Sequence, residues 1–434
     1  MKSFNLVSAL LLVASAVSSL GAERKDWAVL VAGSKSYINY RHQADVCHAY
    51  QILHNRGIPD ERIIVFMYND IADNSENPTP GILINYPNGS DVYHGVPKDY
   101  QGSDVNPENF LNAITGNKKA MLGIGSGKVL ESGPDDHVFI YFADHGGPGL
   151  IGFPSSFLYA DDLSLSLHRM YKRNMYKQLV FYLEACESGS MFTQDLLPKN
   201  LSIYAMTAAN ASQPSLACYF DKTRGIYLAD VFSAKWMENT EQNGTNEDLF
   251  RQFLEVRMDV STSHVSRFGD FEFEFEEIQE FIGGVQGNTI DKHIMTVTGK
   301  PAASTATIQS PDIIPATLYN RLAAASTEVQ KAKLRSQLAE ELTLRNKISE
   351  VTRQIVSGAG AASNDVAKQI LTAKAQPRDY GCLKAVTTEY SEKCFSLPQI
   401  DFALRQVHPL ANMCNHKSFS TSGILASIRK VCQN

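Results

Sequence analysis

FYLEACESG, residues 181–189, decides how this chain is read. The apolar run Leu179–Leu183 that enters it has the texture of an interior strand covered on both faces. It ends abruptly on Glu184, Ala185 and Cys186. A cysteine beside a carboxylate at such a strand end is either packing or a nucleophile. Taken alone, Cys186 fits packing, because an unpaired cysteine usually behaves as a small buried hydrophobe.

Its neighbours change that reading. WAVLVAGS (27–34), RIIVFMYND (62–70), DHVFIYFADHGG (136–147) and LSIYAMTAAN (201–210) have the same buried-strand character, and HQADVCHAYQILHNRG (42–57) is a helix with Gly57 as its stop. Strands alternating with helices predict a mostly parallel α/β sheet flanked by helices. Ligands bind such sheets beyond the carboxyl ends of the strands. The polar tails Asp144-His145-Gly146-Gly147 and Glu184-Ala185-Cys186-Glu187 are thereby expected to share one crevice. A thiol, an imidazole and glycines that expose backbone N–H groups are what a cysteine peptidase requires.

Other function classes fit less well. The 434 residues are 44% hydrophobic and carry a net charge of −6, without the basic stripe of a nucleic-acid binder. GIGSGKVL (123–130) lacks both the spacing and the hydroxyl of a phosphate-binding loop and reads as a flexible loop. The histidines show no HExxH spacing and the late cysteines no CxxC pair, so neither metal nor cofactor is expected. No Gly-x-Ser-x-Gly follows a strand.

Lys2, the apolar run Leu6–Val17 and the small residues after it read as a secretory signal peptide over 1–21. No later run is apolar enough to span a membrane. Sequons at Asn88, Asn200, Asn210 and Asn243 agree with the secretory route. Of seven cysteines, Cys382, Cys394, Cys414 and Cys432 fall at the end of the chain and are expected to form two disulfides, with three connectivities open. The odd total leaves at least one free thiol. Cys47 and Cys218 read as core.

Toward the C-terminus the texture changes. FEFEFEEIQEFIGG (271–284) alternates like an amphipathic edge strand, and 285–318 reads as a linker. From about residue 320, Leu334, Leu338, Leu342, Ile348, Val351 and Ile355 recur at helical spacing. The expected division is a signal peptide at 1–21, a peptidase domain at 22–284, a linker at 285–319 and a disulfide-stapled all-α domain at 320–434.

WAVLVAG, YNDIADNSENPTPG, GSGKVLESGPDDHVFIYFADHGGPG and FYLEACESGSMF, with the four late cysteines, closely resemble the legumain family of asparaginyl endopeptidases along essentially the whole mature chain. The resemblance implies a caspase-like fold, a C-terminal prodomain that caps the active site, and cleavage after asparagine, or after aspartate in acid. It implies a zymogen activated by acid-triggered self-cleavage, a peptide-ligase side activity, cystatin-type inhibitors as partners, and a lysosome-like or vacuole-like compartment or secretion.

Residue by residue, it makes Cys186 the nucleophile, His145 its acid and base, Asn39 the group that orients the histidine, and Gly146 with the Cys186 N–H the oxyanion hole. The P1 pocket maps onto Arg41, His42, Glu184, Ser215 and Asp230. Asp144 matches the aspartate linked to succinimide and ligase chemistry, and Asn320 the processing position; Asn288, Asp291 and Asp312, in or beside the linker, are further candidate bonds because linker backbone is open to proteolysis. Ala143, Gly147-Pro148 and Pro214 depart from or vary within the family pattern. Two rivals are a relative that attaches glycolipid anchors, which would normally carry a membrane tether, and a catalytically dead binding protein on the same fold.

Overall fold

The computed structural model describes residues 24–193, 195–243, 247–260, 262–284 and 307–433. The signal peptide, Asn288 and Asp291 lie outside them.

In chain order the strands are β1 (Asp26–Ala32), β2 (Ile63–Met67), β3 (His137–Ala143), β4 (Gly146–Gly147), β5 (Leu150–Phe153), β6 (Ser156–Tyr159), β7 (Gln178–Glu184), β8 (Ile203–Thr207), β9 (Leu216–Asp221), β10 (Ile226–Asp230), β11 (Ser266–Gly269) and β12 (Ile308–Gln309). The central sheet runs β11-β8-β7-β3-β1-β2. All its pairs are parallel except the edge pair β11–β8. This is the expected mostly parallel α/β sheet. Alternation along β1 divides its side chains between two cores. Ala28, Leu30 and Ala32 join the layer containing helix α1 (Tyr40–Asn55), while Trp27, Val29 and Val31 join the opposite layer. Continuous apolar strands are stable only when both faces are covered in this way.

Register then places the strand ends. Ala32 pairs with Ala143, and Ala143 with Glu184. Asp144 N–H continues the ladder to the Glu184 carbonyl at 3.0 Å. His145 and Cys186 therefore leave adjacent strands at the same level.

Beyond the peptidase sheet the chain is helical. Helices Ile313–Ala324 and Glu328–Gly358 are followed by shorter ones out to Thr421–Cys432. Their core holds Ile348, Ile355, Leu383, Val386, Leu410 and Ile428. The two disulfides are Cys382–Cys414 and Cys394–Cys432, which resolves the three-way choice. Cys47, Cys186 and Cys218 are free and buried.

Two expectations need correction. Residues 271–277 form turns, and only Gln279–Ile282 is regular, as a short helix. Arg267 is the cause: its guanidinium lies over the rings of Phe250, Phe253 and Phe271 and pairs with Glu274, curling the segment around one cation. The described end of the linker is also ordered, with β12 paired to β9 and a helix from Ile313. Pro315 is tolerated there because it lies in the first turn, where N–H groups lack helical partners anyway. Asn320 accordingly sits within a helix, half-buried.

Candidate active site

The end of β3 delivers Asp144, His145 and Gly146. His145 Nε2 lies 2.9 Å from Asn39 Oδ1. Because Asn39 Nδ2 donates to the Lys35 carbonyl at 3.0 Å, its Oδ1 is the acceptor and His145 Nε2 carries the hydrogen. Nδ1 is the nitrogen left for proton transfer. A Cβ on Gly146 would collide with the Cys186 carbonyl oxygen, so only glycine allows these two loops to meet. A Cβ on Gly33 or Gly152 would strike the Asp144 carboxyl group, which is enclosed between them. Asp144 is held well above the ordinary carboxylate range, chiefly by burial.

The end of β7 delivers Glu184, Cys186 and Glu187. The chain reverses at Glu187, whose φ of 50° is left-handed for a non-glycine residue. Such strain persists where surrounding contacts impose it, and it gathers at functional sites. Here Glu187 N–H donates to the Gln213 carbonyl at 2.7 Å. Cys186 Sγ accepts from Ser215 N–H at 3.4 Å and lies 3.7 Å from Ser215 Oγ.

Beside the thiol lies a buried charged cluster. Arg41 Nε donates to Asp230 Oδ1 at 2.8 Å, and its Nη1 reaches Asn39 Oδ1 at 3.4 Å. His42 Nε2 is 3.4 Å from Asp230 Oδ2, and its Nδ1 is 2.7 Å from Ser34 Oγ. Glu184 accepts from both N–H and Oγ of Ser233 at 3.0 Å. Burial, and secondarily Asp230, raises Glu184 well above its ordinary value. Burial, then Arg41, pushes His42 well below its own, so its imidazole is neutral. All the residues predicted for the P1 pocket thus converge on one place.

The helical region closes over it. His145, Gly146, Cys186, Glu187 and Pro214 form one wall of a cavity of about 410 Å³, and the other wall includes Asp401, Leu404, Arg405 and His408. Asp401 Oδ1 is 3.3 Å from His145 Nε2, and His408 Nε2 is 3.2 Å from Glu187 Oε1. Ser310, just after β12, donates its N–H to the Ser215 carbonyl at 2.9 Å and takes Arg41 Nη2 on its Oγ at 2.9 Å. Arg345 and Arg405 from the helices hold Asp312 at 2.8 and 3.2 Å. The charged cluster is therefore already occupied by the chain itself.

Burial sets the charge state of the candidate pair. Burial lifts the Cys186 thiol to about 12 and lowers His145 to about 4. Thiol and imidazole both stay neutral near pH 7, whereas a reactive cysteine needs thiolate character.

Sequence reasoning missed Asp401, His408, Ser310, Ser233 and Asp45. Asp45 had a signal, since it follows Arg41 by one helical turn and shares its face. The others meet the site only through tertiary packing. Of the sequons, Asn88, Asn200 and Asn243 are exposed and Asn210 is half-buried.

Comparison with known proteins gives the family of the chain. Residues 26–287 match the model of the peptidase C13 family, and 332–432 that of the legumain prodomain. Legumain of Homo sapiens is 43% identical over 412 residues, covering 94% of this chain and 93% of that protein. The vacuolar-processing enzyme of Citrus sinensis is 40% identical over 408 residues, covering 90% and 81%. Caspase-1 from Spodoptera frugiperda aligns with a TM-score of 0.37 and 11% identity, over 61% of this chain and 92% of that one.

Proposed function

Because the chain belongs to the peptidase C13 family and is a cysteine endopeptidase made as a zymogen, we propose that Cys186 and His145 are its catalytic pair and that it cleaves after asparagine. The observation that carries this reading is the shared cavity of Cys186, His145 and Gly146 beside the Arg41–Asp230 cluster.

The proposed reaction needs only side chains and backbone groups of this chain. His145 Nδ1 takes the thiol proton as Sγ attacks the scissile carbonyl carbon. The oxyanion accepts from the N–H groups of Gly146 and Cys186. The imidazolium then protonates the departing amine, leaving a thioester that water hydrolyses through the same histidine. Asn39 holds the ring in its working tautomer.

Asparagine suits the pocket because its amide offers one acceptor and two donors. Arg41 supplies the donor, and Asp230 with Glu184 the acceptors, while Ser215 and His42 complete the wall. A side chain lacking either half leaves buried charge unpaired, a penalty that can reach about 10⁴-fold in selectivity. Aspartate enters once protonated, so cleavage after it belongs to acidic pH. Asp144, next to His145, is proposed for the ligase-related succinimide step.

In the closed form Ser310 holds the pocket and residues from about 320 onward cap it. Release of the cap in acid precedes cleavage at Asn320, whose helix must locally unwind to be cut. Cystatin-type inhibitors fall under the same proposal, as occupants of the site once Ser310 has left. Entry into the secretory pathway is supported by the two disulfides, and no helix among the described residues is long and apolar enough to cross a membrane.

The test is turnover by the acid-treated protein of matched peptides with Asn, Asp, Gln or Ala at P1. Preference for Asn at neutral pH, with Asp accepted only in acid, is expected. Equal turnover of Asn and Ala contradicts the specificity, and no labelling of Cys186 by iodoacetamide contradicts the catalytic pair.

A further inference from the structure

Beneath the pocket lies a second tier of polar groups that the reaction above does not use. Asp45 is fully buried on α1, one turn after Arg41. Its Oδ2 accepts the backbone N–H of Asp230 at 3.1 Å and its Oδ1 accepts Asn85 Nδ2 at 2.7 Å. Asn85 Nδ2 also donates to the Leu228 carbonyl at 3.0 Å, so this one amide grips β10 and Asp45 together. Asn85 Oδ1 faces His48 Nδ1 at 2.8 Å, and His48 Nε2 faces Glu241 Oε1 at 2.9 Å. The line runs from a partly exposed glutamate to the floor of the pocket without a gap.

We propose that Asp45, steered by Asn85 and His48, is a positioning residue for P1 specificity: it carries a proton and donates it to Asp230, holding that carboxylate in line with Arg41. The inference rests on the asparagine reading above and names what keeps that slot in register.

The charges require it. Asp45, Asp230 and Glu184 are all fully buried, and they face Arg41 as their permanent cation. Three carboxylates against one guanidinium would leave uncompensated buried charge, which is resolved by protonation. Asp230 Oδ1 is taken by Arg41, while its buried Oδ2 makes no hydrogen bond among the described residues and lies 3.4 Å from His42 Nε2. Asp45 is the carboxyl group that already meets Asp230, at its backbone N–H. Burial, then Asp230 itself, holds Asp45 well above the carboxylate range. The other titratable groups around it, Tyr141, Cys47 and Cys218, are driven upward by burial and stay neutral. On the outer side His48 is held charged by Glu241 in spite of its burial. Its Nδ1–H therefore donates to Asn85 Oδ1, which fixes the way that amide points.

The experiment uses the full chain after acid treatment, with a trace of the wild-type enzyme added in trans if a variant fails to process itself. Asp45→Ala should raise KM for a P1-asparagine peptide about tenfold or more, through loss of a buried hydrogen bond. Its kcat should change by less than about threefold, since no reacting atom is touched. Asp45→Asn keeps a donor and one acceptor but replaces the other oxygen, which now takes an N–H from Asp230 or Asn85, with an NH₂, so it should recover only part of that loss. His48→Gln, at the outer end, should raise KM by about threefold. Thermal melting checks that each variant folds.

Unchanged KM in a folded Asp45→Ala overturns the role of Asp45, as does an Asp45→Asn variant no better than alanine. If Asp45→Ala does not fold, unchanged KM in His48→Gln overturns it instead. A wild-type chain that labels at Cys186 but shows no preference for asparagine overturns the reading on which the proposal rests, a result distinguishable from the others.

Discussion

The peptidase half builds its core from five parallel strands buried on both faces, whereas the helical half gathers a smaller core and stitches it with two disulfides. In the first half, sequence distance is bridged by register: once the strands pair, His145 and Cys186 are neighbours with no further choice. In the second half nothing comparable operates. Asp401 and His408 reach the active site only because several short helices pack in one arrangement. The placement of His145 and Cys186 is fixed by the strand ladder, while that of Asp401 and His408 depends on helix packing alone.

Substituting Cys186 by serine breaks the comparison most severely if it is wrong. Peptide turnover should fall about 10³-fold or more, while melting of both halves stays within about 1 kcal/mol of the parent. Retained turnover would show that the sheet ends do not hold the nucleophile.

Removing Cys394–Cys432, by replacing both residues with alanine, should destabilise the cap by about 2–4 kcal/mol. Hydrogen exchange should rise in 380–432 and not in the central sheet. Uniform loss of protection would mean the two halves melt as one unit.

The next effect depends on pH. In the closed form His145 lies near 4, chiefly through burial, against an ordinary 6.5. The open form therefore binds more protons between these values, and closure weakens as pH falls through that window, with no slope from this group above about 7. The cap's melting temperature, followed from pH 7.5 to 4, should decline accordingly. His145→Gln should flatten that decline whatever the surrounding carboxylates contribute. An equal slope in the variant would assign the pH response elsewhere.

The smallest effect sharpens the comparison within one helix. Leu342 and Val329 on Glu328–Gly358 are 49% and 82% exposed, while Ile355 is fully buried. Leu342→Glu should change stability by no more than about 0.5 kcal/mol, against about 2–5 kcal/mol for Ile355→Ala. Of the periodic apolar stripe seen in sequence, Ile348 and Ile355 are buried, Leu334, Leu338 and Val351 are half-buried, and Leu342 is exposed.

That stripe marks the limit of what the sequence discloses. Strand ends and their polar tails were legible because unbroken apolar runs and a parallel sheet leave few alternatives. The alternation in FEFEFEE, read as a strand, was overridden by Arg267, around which Phe271 and Glu274 gather. Glu184 was foreseen in the pocket, but Ser233, which holds it, was not, because helix Val231–Asn243 brings it there only after folding. Asp312 was noted as a bond to be cut, and its part in clamping the closed form depends on Arg345 and Arg405, far along the chain. In each case the missing information was a long-range partner of a residue already in view.

Ser310 adds a consequence for how the closed enzyme behaves in solution. On the proposed reading, the group that fills the slot is covalently tethered to the catalyst, so it competes at an effective concentration set by its own chain, commonly millimolar for a short tether. Diluting the protein leaves that concentration untouched, and a free peptide must outcompete a ligand that never diffuses away. Latency of this kind is indifferent to how much enzyme a compartment holds and yields only when the clamp on the tether is loosened.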